Sequence, residues 1–188
     1  MHRGNVYGGG SGITEYKYDF NGDGDTADAN EQDYSNSSGS VTRFTEVNVL
    51  GGTIHRNVYG GGSMGSVGAP KIDQGYEPYK KGDKADGHGV GKQSLNEVII
   101  GGAKVGDTDT FVEAKIGDAE SFKKGYGGNV FGAGRGNSAL DENSFATSIW
   151  TKVLVKDGAY ILGNVFGGGD AGKVKQDTDV QIGEKAEP

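Results

Sequence analysis

The chain has 188 residues, a net charge of −7, 37 Gly and no Cys. That is one domain's length; the missing Cys excludes a disulfide scaffold and thiolate chemistry, and an acidic balance without a long basic run argues against a nucleic-acid binder. No stretch approaches 18 apolar residues, so no transmembrane segment is expected, and residues 1–5 lack the apolar region of a signal peptide. Leu, Ile, Val and Phe supply about 20% of the chain, close to the level of disordered proteins, so pattern must specify the fold.

In chain order, the first element is the block Gly4-Asn5-Val6-Tyr7-Gly8-Gly9-Gly10. It returns as Asn57-Val58-Tyr59-Gly60-Gly61-Gly62, Gly128-Asn129-Val130-Phe131-Gly132-Ala133-Gly134 and Gly163-Asn164-Val165-Phe166-Gly167-Gly168-Gly169. A second kind of block alternates with period two and is rich in β-branched residues, which predicts strands: Val47/Val49, Val98/Ile100, Val153/Val155 and Val180/Ile182. A single ribbon cannot bury the apolar side made by Val47, Val49, Ile54 and Val58, whereas stacked repeats can. The expected fold is therefore all-β, a parallel β-solenoid with almost no helix, because few windows of 12 residues are free of Gly.

Spacing between strand blocks is uneven: Val153 to Val180 is 27 residues, but Val47 to Val98 is 51 and Val98 to Val153 is 55. The excess is assigned to insertions at roughly 13–44, 68–94, 105–124 and 135–150 within one domain, 1–188. The insertions at 13–44, 68–94 and 135–150 follow the Gly-rich corner and would emerge along one edge, where repeat proteins build binding surfaces.

Repeated residues have expected roles. Asn5, Asn57, Asn129 and Asn164 would form a ladder, passing side-chain hydrogen bonds from repeat to repeat. Tyr7, Tyr59, Phe131 and Phe166 would stack about 4.8 Å apart. Such a column is either a structural stack or an exposed ligand-binding strip that suits the faces of sugar rings. Period-two parity places Tyr59 with His55, opposite Val58 and Ile54, unless the chain bends near Asn57.

In the first insertion, Asp19, Asn21 and Asp23 stand at positions one, three and five before Gly24, the opening of a calcium loop that offers hard oxygen ligands. Asp25 and Asp28 complete the candidate metal set, although Asn30 occupies the place of the closing Glu. These dozen residues resemble the calcium loops of dockerin-like bacterial modules, and calcium is the one cofactor expected. Asp107, Asp109, Glu113, Asp118 and Glu120 cluster in another insertion; read as a solvated loop, they nominate no catalytic residue. Two matches to G-x-G-x-x-G, at 60–65 and 167–172, are discounted because no helix is expected to follow. His2, His55 and His88 are too scattered to suggest a metal site.

The repeated Gly-Asn-Val-Tyr/Phe-Gly-Gly-Gly block with its Val-x-Val-x-Gly-Gly strand resembles Gly-rich repeats of adhesin-like surface or secreted proteins of gut Bacteroidetes. The resemblance covers about half the chain. It implies a right-handed parallel β-helix displayed outside a bacterial cell and belonging to a longer polypeptide. The function expected is non-enzymatic binding of a glycan or of a host or bacterial surface protein, with end-to-end association through uncapped ends. The alternatives are a polysaccharide-degrading β-helix (lyase or glycoside hydrolase) using carboxylates and calcium, and a structural spacer.

Overall fold

Alternation in sequence becomes alternation in burial. Along Thr45–Val49, Thr45, Val47 and Val49 are buried while Glu46 and Asn48 face solvent. A computed structural model describes residues 4–12, 16–17, 22–24, 32–33, 39–68, 94–137 and 146–183. Its first elements are β1 (Val6–Tyr7), β2 (Tyr16–Lys17), β3 (Gln32–Asp33), β4 (Thr45–Val49), β5 (Gly52–Ile54) and β6 (Val58–Tyr59). Next come β7 (Leu95–Ile100), β8 (Ala114–Ile116), the short helix α1 (Ala119–Lys123), β9 (Val130–Phe131) and β10 (Thr147–Ser148). The last are β11 (Trp150–Val155), β12 (Ala159–Ile161), β13 (Val165–Phe166), β14 (Lys173–Val174) and β15 (Thr178–Ile182).

The chain is all-β with parallel sheets, and α1 is the one helix among the described residues. Three sheets share a rule: strand orders β1-β6-β9-β13, β4-β7-β11-β15 and β5-β8-β12, every pairing parallel. Registers place like on like. Val47, Val98, Val153 and Val180 are successive partners, as are Val6, Val58, Val130 and Val165. Among the described strands only β2 and β3 pair antiparallel, bringing the two ends of the calcium-like segment together.

The core is one cluster drawn from all three sheets, with Val58, Val98, Ile100, Ile116, Val130 and Val153 fully buried. Fully burying each such side chain contributes roughly 1.5–3 kcal/mol. Inside the long sheet, Thr45 and Thr151 turn their hydroxyls to the corner carbonyls of Gly60 and Gly167 at 2.5 and 2.6 Å, so these buried oxygens are paired. On the opposite face, buried Glu97 is matched by the Lys152 ammonium at 3.2 Å, the neighbouring-strand partner that a buried carboxylate requires.

Glycine at the corner is a steric requirement. A Cβ on Gly60 would collide with the carbonyl oxygen of Gly132, and one on Gly132 with that of Gly167. A side chain there would hold adjacent repeats apart.

Two of the expected boundaries are corrected. The stretch 105–124 contains β8, whose Ala114 and Ile116 are wholly buried and pair with β5 and β12. Its three-residue alternation is too short to stand out between Glu113 and Gly117. What leaves the sheets is instead a hairpin closed by a Lys104–Phe111 bridge before β8, and α1 after it. Likewise the stretch 135–150 begins and ends inside paired structure: Arg135 bridges Ser63 and Asp170, Thr147–Ser148 pairs with β14, and Trp150 is the first residue of β11.

Replacing Ile116 by Ala should cost about 2–5 kcal/mol in urea unfolding. Ile182→Ala, at a side chain 71% exposed, should change stability by less than about 0.5 kcal/mol. Equal effects would remove β8 from the core.

Candidate functional site

The repeated Asn residues form a chain of bonds running one way. The Asn57 N–H donates to Asn5 Oδ1 at 3.0 Å, the Asn129 N–H to Asn57 Oδ1 at 3.0 Å, and the Asn164 N–H to Asn129 Oδ1 at 2.9 Å. The side-chain NH2 groups follow the neighbouring aromatic. Beside tyrosine, Asn57 donates to the Tyr59 hydroxyl at 3.0 Å and Asn5 approaches that of Tyr7 at 3.5 Å. Beside phenylalanine no hydroxyl exists, and Asn129 and Asn164 turn to the preceding Asn carbonyl at 3.4 and 3.3 Å.

Tyr7, Tyr59, Phe131 and Phe166 stack in sequence with centroid separations of 4.7, 4.9 and 4.9 Å and near-parallel rings. Tyr59 is 1% exposed and Phe131 8%, so neither offers a face to a ligand; Phe166, at 43%, is open. The parity argument for an exposed strip fails because the chain bends at His55–Arg56, after which Val58 and Tyr59 are both buried. Burial pushes the Tyr59 hydroxyl well above its ordinary range, and the nearby Asp170 carboxylate adds to this against the opposing Asn57 bond.

Of the candidate calcium ligands, Asp23 is described and exposed, between Gly22 and Gly24 at φ +77° and +95°. Asp19, Asn21, Asp25 and Asp28 lie outside the described residues, as do His2 and His88.

The acidic residues of 107–120 are dispersed. Asp118 caps α1, accepting from the Ser121 N–H at 2.7 Å and its hydroxyl at 3.0 Å, and it pairs with His55 at 3.0 Å. The Ser121 N–H is the main reason that the Asp118 carboxyl is lowered from 3.8 to about 2, with His55 assisting. Glu120 sits 4.0 Å from Lys123, Asp109 3.4 Å from Lys104, and Asp107 and Glu113 are exposed.

Two clefts collect polar groups. The wider, about 660 Å³, lies between the 102–113 hairpin and the turn after β11, lined by Lys104, Asp109, Phe111, Asp157 and Gly158. It combines an aromatic ring, two carboxylates and an ammonium. The second, about 330 Å³, opens beyond the Gly-rich corner around Arg135 and Asp170. Neither was visible as a site in the sequence, because each joins residues from different repeats. The one available signal was positional: counted from the Gly-rich block, Ser11, Ser63, Arg135 and Asp170 occupy one place, now seen as a column of bridges. No protein-family model, curated protein or solved structure matches the chain.

Asn129→Ala removes the carbonyl that accepts from Asn164 while the backbone N–H at 129 can still donate to Asn57, and urea unfolding should register a loss of about 1–3 kcal/mol; an unchanged midpoint would mean that water replaces the lost bonds. Because the Asp118 pKa is lowered on folding, its contribution is present above pH 3.8 and disappears as pH falls toward about 2. The Ser121 amide resonance should therefore titrate with a midpoint near 2. A midpoint at the ordinary aspartate value would show that the cap is not formed in solution.

Proposed function

We propose that this chain is a right-handed parallel β-helix from an adhesin-like, cell-surface or secreted bacterial protein, and that it binds glycans without enzymatic activity. The helix reading is supported by the order of the sheets: three successive repeats (β4 to β6, β7 to β9 and β11 to β13) each contribute one strand to each of three parallel sheets in turn, in register with their counterparts. Winding one ribbon around a shared core produces this order. The outer strand β15, with Ile182 exposed, supports association of a further β-edge there.

The observation that carries the binding reading is the cleft beneath the 102–113 hairpin. Phe111 supplies a flat apolar group, and Asp109, Asp157 and Lys104 supply acceptors and donors at its margin, the combination that holds a sugar ring by stacking and hydrogen bonds. Non-enzymatic use is supported by Asp118, which is engaged in the cap of α1 and in the pair with His55. Calcium at Asp19, Asn21, Asp23, Asp25 and Asp28 would order the first insertion, whose base is closed by β2 and β3.

The test is a glycan array run with and without calcium. Selective binding is expected, reduced at least tenfold by Phe111→Ala, with calcium dependence reporting on the first insertion. A blank array under both conditions would overturn the glycan reading in favour of a structural spacer.

A further inference from the structure

The corner column Ser11, Ser63, Arg135 and Asp170 pairs residue by residue through parallel bridges, so its side chains emerge from neighbouring repeats at one place. Serine holds the first two positions; the last two carry opposite charges. Arg135 Nε stands 3.5 Å from Asp170 Oδ2, and the same oxygen accepts from the Tyr59 hydroxyl at 3.1 Å. The guanidinium also bonds the Tyr7 hydroxyl, which with the surrounding phenols and Asp170 raises its pKa further. Both groups are thus held from below by the aromatic column while their side chains remain 52% and 44% exposed.

Much capacity is left over. Asp170 Oδ1 and the Ser63 hydroxyl have no partner among the described residues, and at most two of the five guanidinium N–H donors are taken. Backbone groups around the cleft are already bonded: the Met64 N–H to the Arg135 carbonyl at 2.7 Å, the Gly136 N–H to the Asp170 carbonyl at 2.8 Å, and the Asp170 N–H to the Gly134 carbonyl at 3.2 Å. These three N–H groups are therefore not open to a ligand, and the unspent capacity at Arg135, Asp170 and Ser63 lies on side chains. Met64 and Ala171 line the cleft as apolar groups, both held at positive φ (+58° and +53°), a conformation that costs energy in residues other than glycine and that concentrates at ligand sites.

The charges select the ligand. An anion would meet the Asp170 carboxylate, and a cation would meet the Arg135 guanidinium. A neutral molecule whose neighbouring groups both donate and accept satisfies the two together, and vicinal hydroxyls do this: one donates to Asp170 Oδ1 while the other accepts from Arg135. The volume, about 330 Å³, is at the small end of ligand pockets, which run from about 300 to 1,000 Å³.

We infer that the Arg135–Asp170 cleft is a second saccharide subsite, specific for a neutral sugar presenting a vicinal diol over Met64. The inference rests on the glycan-binding reading but concerns a separate cleft. The experiment is a two-dimensional amide NMR titration of the full chain with methyl α-mannoside, methyl β-galactoside, glucuronate and glucosamine. Saturable shifts at Ser63, Arg135 and Asp170 are expected with at least one neutral glycoside, with weaker binding of the charged sugars. Asp170→Asn and Arg135→Met should each weaken that binding at least tenfold while the amide spectrum remains dispersed, and Phe111→Ala should leave it unchanged. Shifts confined to 104–111 and 157–158 would overturn this inference and leave the wider cleft as the glycan site. Tightest binding of glucuronate or glucosamine here would overturn the neutral-sugar assignment, and no shift at the corner with any probe would remove the subsite.

Discussion

The stacked sheets of the described residues depend on the close approach of backbones at the Gly8, Gly60, Gly132 and Gly167 corner. The space that a Cβ would fill at Gly60 is held by the next repeat's carbonyl, so the interval between repeats is set by peptide against peptide. At that interval a residue's nearest neighbour across the sheet is its own counterpart. Side chains that tolerate themselves are therefore favoured: valine on valine in the core, ring on ring in the aromatic column, amide on amide in the Asn ladder. A thin supply of large aliphatics suffices because the same few positions are used in every repeat.

The repeats were legible because this self-matching writes itself into the sequence. Val47, Val98, Val153 and Val180 could be aligned without coordinates, and they are register partners. What escaped was whatever lacked repetition or length. β8 is three residues among charged neighbours, and Gly52, Ala114 and Ala159 at its equivalent position share smallness rather than identity. The choice between a buried stack and an exposed aromatic strip stayed open for another reason: alternation predicts facing only along a straight strand, and the bend at His55–Arg56 restarts the count.

Binding chemistry arises where the lattice is kept and its residue types change. At the corner, Ser gives way to Arg135 and Asp170 without disturbing the bridges, and the Tyr hydroxyls beneath become supports for the charges. Phe131, lacking a hydroxyl, lies between Tyr59 and Phe166 in the stack, and across its level Asp170 reaches the Tyr59 oxygen. The hairpin before β8 follows the same economy, since its two ends are tied to strands that pair whatever the hairpin carries. Such positions can vary in chemistry at little cost to folding.

The Asn ladder has a direction: each side-chain carbonyl receives the backbone N–H of the repeat that follows. Every one of these links has its donor in one repeat and its acceptor in the repeat before. The column is consequently a vector, offering an acceptor on one side and a donor on the other. A β-edge that meets it can extend the series in one polarity alone, so the ladder discriminates between otherwise identical ways of laying one strand against another.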